Sequence, residues 1–142
     1  MVLNCEDASG RLVWNDELSV GIWMADSDHQ EIISLINQVL DAMAAKETDV
    51  RLSRRLDELI VFAKQHFQRE EELFVRYDYP ELRSHREVHR FLENKIMSYK
   101  NAFLAGEAEL SQTAFLLKDW IVLHIRGVDK KYTRFLHSRG VA

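Results

Sequence analysis

Histidines and carboxylates occur in this chain at positions where helical periodicity places a core. Four stretches repeat apolar residues at spacings of three and four, the pattern of helices with one buried face. The first carries Ile32, Leu35, Ile36, Val39, Leu40 and Met43, with His29 three residues ahead on the same face. The second runs Leu52, Leu56, Leu59, Ala63, His66, Glu70 and Leu73. The third places His85, His89, Leu92, Ile96, Tyr99 and Phe103 on one side, and the fourth Ala114, Leu117, Ile121, His124 and Val128. Asp129 follows directly. Five imidazoles and the carboxylate of Glu70 thus fall on interior faces, with Asp129 beside them, and each buried group costs free energy unless it is hydrogen-bonded, paired or bound to a metal.

Helix limits follow from local chemistry. The first helical pattern sets in at Asp28 and fades near Lys46, and the second stops around Tyr77. Pro80 disfavours helix at Tyr79 and suits the first turn of the next element. Gly106 closes the third, and the fourth begins after Glu109 with Ser111 as its cap. Five glycines and one proline in 142 residues leave few breakers, and no segment alternates with period two over a strand's length. The expected fold is all-α: an antiparallel up-down-up-down four-helix bundle with an irregular N-terminal arm. One domain is expected over 1–142, the arm about 1–25 and the bundle about 26–138. Trp14, Val20, Ile22 and Trp23 are expected to pack the arm onto the helices.

Composition narrows the functional classes. Nineteen basic against twenty-three acidic residues give a net charge of −4, which argues against nucleic acid as the main partner. No apolar run reaches the roughly 18 residues of a membrane span, and the N-terminus lacks the pattern of a signal peptide. A cytoplasmic protein is expected. The single cysteine, Cys5, excludes an intramolecular disulfide, fits a reducing compartment and sits in the arm without a histidine neighbour in sequence. His137 is expected to be solvated. Glu71 and Glu72 lie about 100° and 200° around the helix from Glu70 and read as an exposed charged face, as do Arg51, Arg54 and Arg55. No large exposed apolar stripe is evident, so a monomer is expected. No Ser-His-Asp or Cys-His arrangement and no glycine-rich phosphate loop occurs.

Topology gathers the polar residues. In an antiparallel bundle, the starts of the first and third helices lie beside the ends of the second and fourth. His29, His85 and His89 stand at such starts, and His66, Glu70, His124 and Asp129 at such ends, so all seven meet in one layer. Seven donors exceed one tetrahedral zinc and suit two metals bridged by the carboxylates, and imidazole with carboxylate suits iron. One coordination position is then left open. His124 and Asp129 lie about 140° apart on a straight helix, so joint ligation requires a distortion, which Gly127 permits.

The ordered segments DSDHQEIISLIN, HFQREEELF, YPELRSHREVHRFL and WIVLHIRGVDKKY resemble the hemerythrin family, its bacterial single-domain branch in particular. The resemblance runs from about Trp14 to Tyr132. It implies that His85, His89 and His124 ligate one six-coordinate iron and His29 and His66 the second, where dioxygen binds. Glu70 and Asp129 would bridge the pair together with an oxo or hydroxo group. The irons would be ferrous without dioxygen and ferric in the oxygenated or oxidised form. Ile32, Phe67, Trp120 and Ile121 would form an apolar pocket over the open position, slowing proton entry. Asp28 departs from the pattern, since the family more often has glutamine there.

The resulting expectation is a non-enzymatic protein that binds dioxygen reversibly for storage, delivery or buffering. Alternatives are an oxygen or redox sensor acting through a partner protein and a di-iron enzyme scavenging peroxide or nitric oxide. A dioxygen-consuming enzyme or a signalling protein is the partner these readings imply. Ferritin-like oxidases use Glu-x-x-His on two helices, and no glutamate lies three residues before a histidine here.

Overall fold

The computed structural model describes residues 5–107, 110–127 and 129–142, with Leu110, Ser111, Ala114 and Phe115 described by backbone only. The predicted cap Ser111 and stripe residues Ala114 and Val128 therefore lie outside the described side chains. Four long helices dominate: α1 (Trp23–Ala44), α2 (Asp49–Arg76), α3 (Leu82–Leu104) and α4 (Leu110–Gly127). A 3-10 turn over Asp129–Tyr132 leads into a short α5 (Thr133–Ser138). α1 packs on α2 and α4, α2 on α3, and α3 on α4, so the four close around one core. This is the expected all-α four-helix bundle. Among the described residues the one β feature is an isolated bridge between Glu6 and Leu12.

Each apolar stripe turns inward. Ile32, Ile36 and Val39 of α1, Leu52, Leu56, Leu59, Ala63 and Phe67 of α2, Ile96 of α3 and Leu117, Ile121 and Ile125 of α4 are all buried. Thr48 caps α2 by accepting from the Arg51 amide at 3.4 Å, satisfying one orphan donor of the first turn. No helix among the described residues is long and apolar enough to cross a membrane.

α1 begins five residues earlier than the periodicity predicts. Asp26, in its first turn, accepts from the Val20 amide at 2.7 Å and from the Ser19 hydroxyl at 2.5 Å, tying the entering chain to the helix start. Extending the helix backwards places Trp23 two residues before buried Ala25, about 200° around the axis. Trp23 is 77% exposed and does not pack as expected.

The arm from Cys5 onward is docked on the helices. The Leu12 amide donates to Asn37 Oδ1 and Asn37 Nδ2 to the Leu12 carbonyl, both at 2.9 Å, fixing the arm to α1. Lys118 of α4 reaches the Gly10 carbonyl at 3.0 Å and Glu6 at 2.7 Å. Cys5 lies buried within the core cluster with Leu12, Leu18, Val20 and Ile22. His137, expected to be merely solvated, donates from Nε2 to the Gly21 carbonyl at 2.7 Å and anchors α5 to the arm.

Leu56 is almost wholly buried, remote in sequence from the polar layer. Leu56→Ala is expected to lower unfolding free energy by about 2–5 kcal/mol, read by denaturant unfolding of the metal-free chain.

Candidate metal centre

The seven predicted residues converge. His29, His66, Glu70, His85, His89, His124 and Asp129 are all buried and meet in one layer of the bundle. α1 contributes His29, α2 His66 and Glu70, α3 His85 and His89, and α4 His124. Spacing of four puts each intrahelical pair on one face. α4 ends at Gly127 and Asp129 opens the 3-10 turn, so the helix is broken between His124 and Asp129 as their pairing requires.

Donor atoms fall into two overlapping groups, each with atoms within 4.8 Å of one another: Glu70, His85, His89, His124 and Asp129, and His29, His66, Glu70 and Asp129. The carboxylates belong to both. Glu70 Oε1 lies 3.4 Å from His85 Nε2 and 3.1 Å from His89 Nε2, while Oε2 lies 3.4 Å from His66 Nε2. Asp129 Oδ1 lies 3.2 Å from His85 Nε2 and 3.0 Å from His124 Nε2, and Oδ2 lies 2.9 Å from His29 Nε2. Each carboxylate thus gives one oxygen to each histidine group.

These contacts do not satisfy the atoms. Glu70 Oε1, both Asp129 oxygens and the Nε2 atoms of His85, His89 and His124 are buried without a hydrogen-bond partner. Such groups are ordinarily paired in a native interior, and here their lone pairs converge instead. Imidazole nitrogen and carboxylate oxygen without thiolate is a donor set suited to iron, so the residues present fit a pair of iron ions.

The domain family described as hemerythrin HHE cation binding domain matches residues 20–136. The chain belongs to the hemerythrin family. It is 32% identical over 121 residues to a bacteriohemerythrin of Stenotrophomonas maltophilia, covering 85% of this chain and 78% of that one. With the bacteriohemerythrin of Methylococcus capsulatus it shares 32% over 117 residues, 82% and 88% of the two chains. Its fold superimposes on a crystal structure of wild-type hemerythrin with a TM-score of 0.79 at 30% identity, over 87% of this chain and 95% of that one.

Apolar residues border the layer. Ile32, Phe67, Trp120 and Ile121 are buried. Ile32 lies one turn after His29, and Trp120 and Ile121 one turn before His124. Phe67 stacks on His89 with ring centroids 4.1 Å apart and meets Trp120 edge-on at 6.3 Å.

Two neighbours escaped the sequence reading, and a third, Asp28, was singled out there without its contact. Tyr132, buried in the 3-10 turn, donates its hydroxyl to Glu70 Oε2 at 2.7 Å. Glu71, expected on an exposed face, is half-buried, and its Oε2 accepts from His89 Nδ1 at 2.9 Å. The 100° step away from Glu70 points it along the α2–α3 seam rather than into solvent. Asp28 Oδ2 accepts from His66 Nδ1 at 2.9 Å. The position of Asp28 directly before His29 was its signal in the sequence, and for Tyr132 there was none.

The carboxylates and imidazoles shift one another. Burial alone would lower the His66 pKa, but Glu70's charge and contacts with Asp28 and Glu70 raise it to about 10. Burial opposes charge at His85 too, where Asp129 and Glu70 raise it to about 9. Burial would raise Glu70, yet His66 and the other imidazoles hold it well below the ordinary carboxylate range. Asp129 is also driven far down, with burial and Glu70's charge outweighed by His124 and His29. Burial and the two carboxylates push the Tyr132 phenol well above 10, so it remains a donor to Glu70.

Metal-free protein should show these shifts in its stability. The raised His66 and His85 contribute stability fully present below about pH 6.5, their ordinary value, and lost as pH rises through about 9–10. The depressed carboxylates contribute above about pH 4 and lose it on acidification. Thermal melts of the metal-free chain are expected to show a falling midpoint from pH 6.5 to 9.5. Bound metal should reverse the trend, since ligation requires the histidines deprotonated. A flat metal-free profile would contradict the coupling.

Proposed function

We propose that the chain binds dioxygen reversibly at a non-heme di-iron centre, for storage, delivery or buffering, and is not an enzyme. His85, His89 and His124 would hold one iron and His29 and His66 the other, with Glu70 and Asp129 placed to serve both. The observation carrying this reading is the division of each carboxylate's two oxygens between the two histidine groups. Membership of the hemerythrin family supports it independently.

The ferrous pair, when bound, supplies the two electrons that dioxygen takes up. The chain's own residues do the rest. The group of His29 and His66 has one imidazole fewer than the group of His85, His89 and His124, which leaves room for an exogenous ligand. Buried Ile32, Phe67, Trp120 and Ile121 exclude water there, and a dry surrounding slows proton entry. Tyr132 keeps Glu70 oriented by donating to Oε2. The buried apolar side chains beside the donors suit a small diatomic and favour binding over turnover. The buried free thiol of Cys5 fits a reducing compartment.

An anaerobic ferrous sample titrated with dioxygen should develop charge-transfer absorption that vanishes when the gas is removed. Decay to a stable ferric form would instead favour a sensor or a scavenging enzyme, and iron-loaded protein without new bands would sink the reading. Glu70→Ala and Asp129→Ala are each expected to cost at least one of two irons per chain, measured by metal analysis. His137→Ala should keep both irons while losing about 1 kcal/mol of stability with its hydrogen bond to Gly21.

A further inference from the structure

Two of the five histidines are held from behind by carboxylates that are themselves held by arginines. His66 donates from Nδ1 to Asp28 Oδ2 at 2.9 Å, and Arg69 Nε donates to the same oxygen at 2.9 Å. His89 donates from Nδ1 to Glu71 Oε2 at 2.9 Å, and Arg86 Nε donates to Glu71 Oε1 at 2.8 Å. The outer Nδ1 atoms of His29 and His124 are buried without any partner. The clamps are distributed one to each donor group: Asp28 serves the group of His29 and His66, and Glu71 the group of His85, His89 and His124.

A carboxylate only accepts, so each clamp fixes the proton on Nδ1 and leaves the Nε2 lone pair directed at the centre. It also fixes the ring plane and strengthens the imidazole as a donor, effects whose loss commonly costs 10–100-fold in metal affinity. Each clamp spans a helix pair. Asp28 of α1 meets His66 and Arg69 of α2, and Glu71 of α2 meets His89 and Arg86 of α3. Arg69 and Arg86 are both more than a third exposed, so their ion pairs add little to fold stability by themselves.

We propose that Asp28 and Glu71 are positioning residues that act independently, one for each metal position: Asp28 sets how tightly the His29/His66 position holds its ion, and Glu71 does so for the His85/His89/His124 position. The inference rests on the di-metal reading of the site. The His29/His66 group has fewer donors and so depends more heavily on its one clamped imidazole. Arg69 and Arg86 keep the two carboxylates in place, and their removal has the same direction of effect with smaller size.

The test loads metal-free protein with cobalt(II) and follows release to an excess of chelator, beside Asp28→Asn, Glu71→Gln and the rescue variant Asp28→Glu. Wild type should hold two ions and release them in two phases. Asp28→Asn should accelerate the faster phase about 10–100-fold and leave the slower within about twofold, and Glu71→Gln should do the reverse. Asp28→Glu should restore most of the retention, and the double variant should accelerate both phases. Each metal-free variant should still melt cooperatively, with Asp28→Asn lowered at pH 6.5 by its lost contact with His66, so that the phase-selective change in ion release, which a merely structural role would not produce, reports the positioning. Two ions bound in wild type with both phases unmoved in the variants would overturn the inference alone, as would equal acceleration of both phases by each variant. Wild type holding fewer than two ions would overturn the di-metal reading beneath it.

Discussion

Glu70 and Asp129, buried amid five imidazoles, set the terms for the rest of the molecule. Two ionised carboxylates in a low-dielectric interior demand positive charge close by. In metal-free protein that demand falls on His66 and His85, whose raised proton affinity answers it. Protonation leaves the remaining lone pairs facing one another, with six donor atoms of the layer unpaired. Divalent ions meet the demand better, because they neutralise the carboxylates and engage those lone pairs together.

The helices are what make this arrangement sustainable. Backbone polar groups inside a helix satisfy one another, so α1 to α4 can approach the layer from four sides without adding unpaired amides to it. The apolar stripes of Ile32, Leu59, Ala63 and Ile121 continue past the layer and hold the bundle closed whatever the layer contains. Where regular geometry fails, the chain breaks: α4 stops at Gly127 so that Asp129 can turn inward, and the same 3-10 turn delivers Tyr132 to Glu70. Beyond the donors, an outer ring of charge begins at Asp28 and Glu71 and ends at half-exposed arginines, grading the site from buried centre to solvent.

Legibility in the sequence followed periodicity. The inward placement of His66 with Glu70 and of His85 with His89 was readable because a spacing of four fixes a shared face. The fault at Gly127 was readable because five residues cannot share one. Contacts set by neighbouring helices were not. Glu71 looked solvated from α2 alone, and only the approach of α3 brings it to His89. Cys5 looked peripheral in an irregular arm, and only the docking of Leu12 on Asn37 carries it into the core. Trp23 read as packing, but a helix start moved back by Asp26 turned it outward.

The sequence by itself determined that the chain forms four amphipathic helices and that seven histidine and carboxylate side chains share one level of the bundle. Both follow from spacing along a regular helix, a local property that needs no knowledge of neighbours. The tertiary structure decided which oxygen of each carboxylate faces which histidines, which imidazoles are backed by a carboxylate, and where the arm lies. Those depend on the rotation and approach of one helix against another, set by side-chain packing across the whole core.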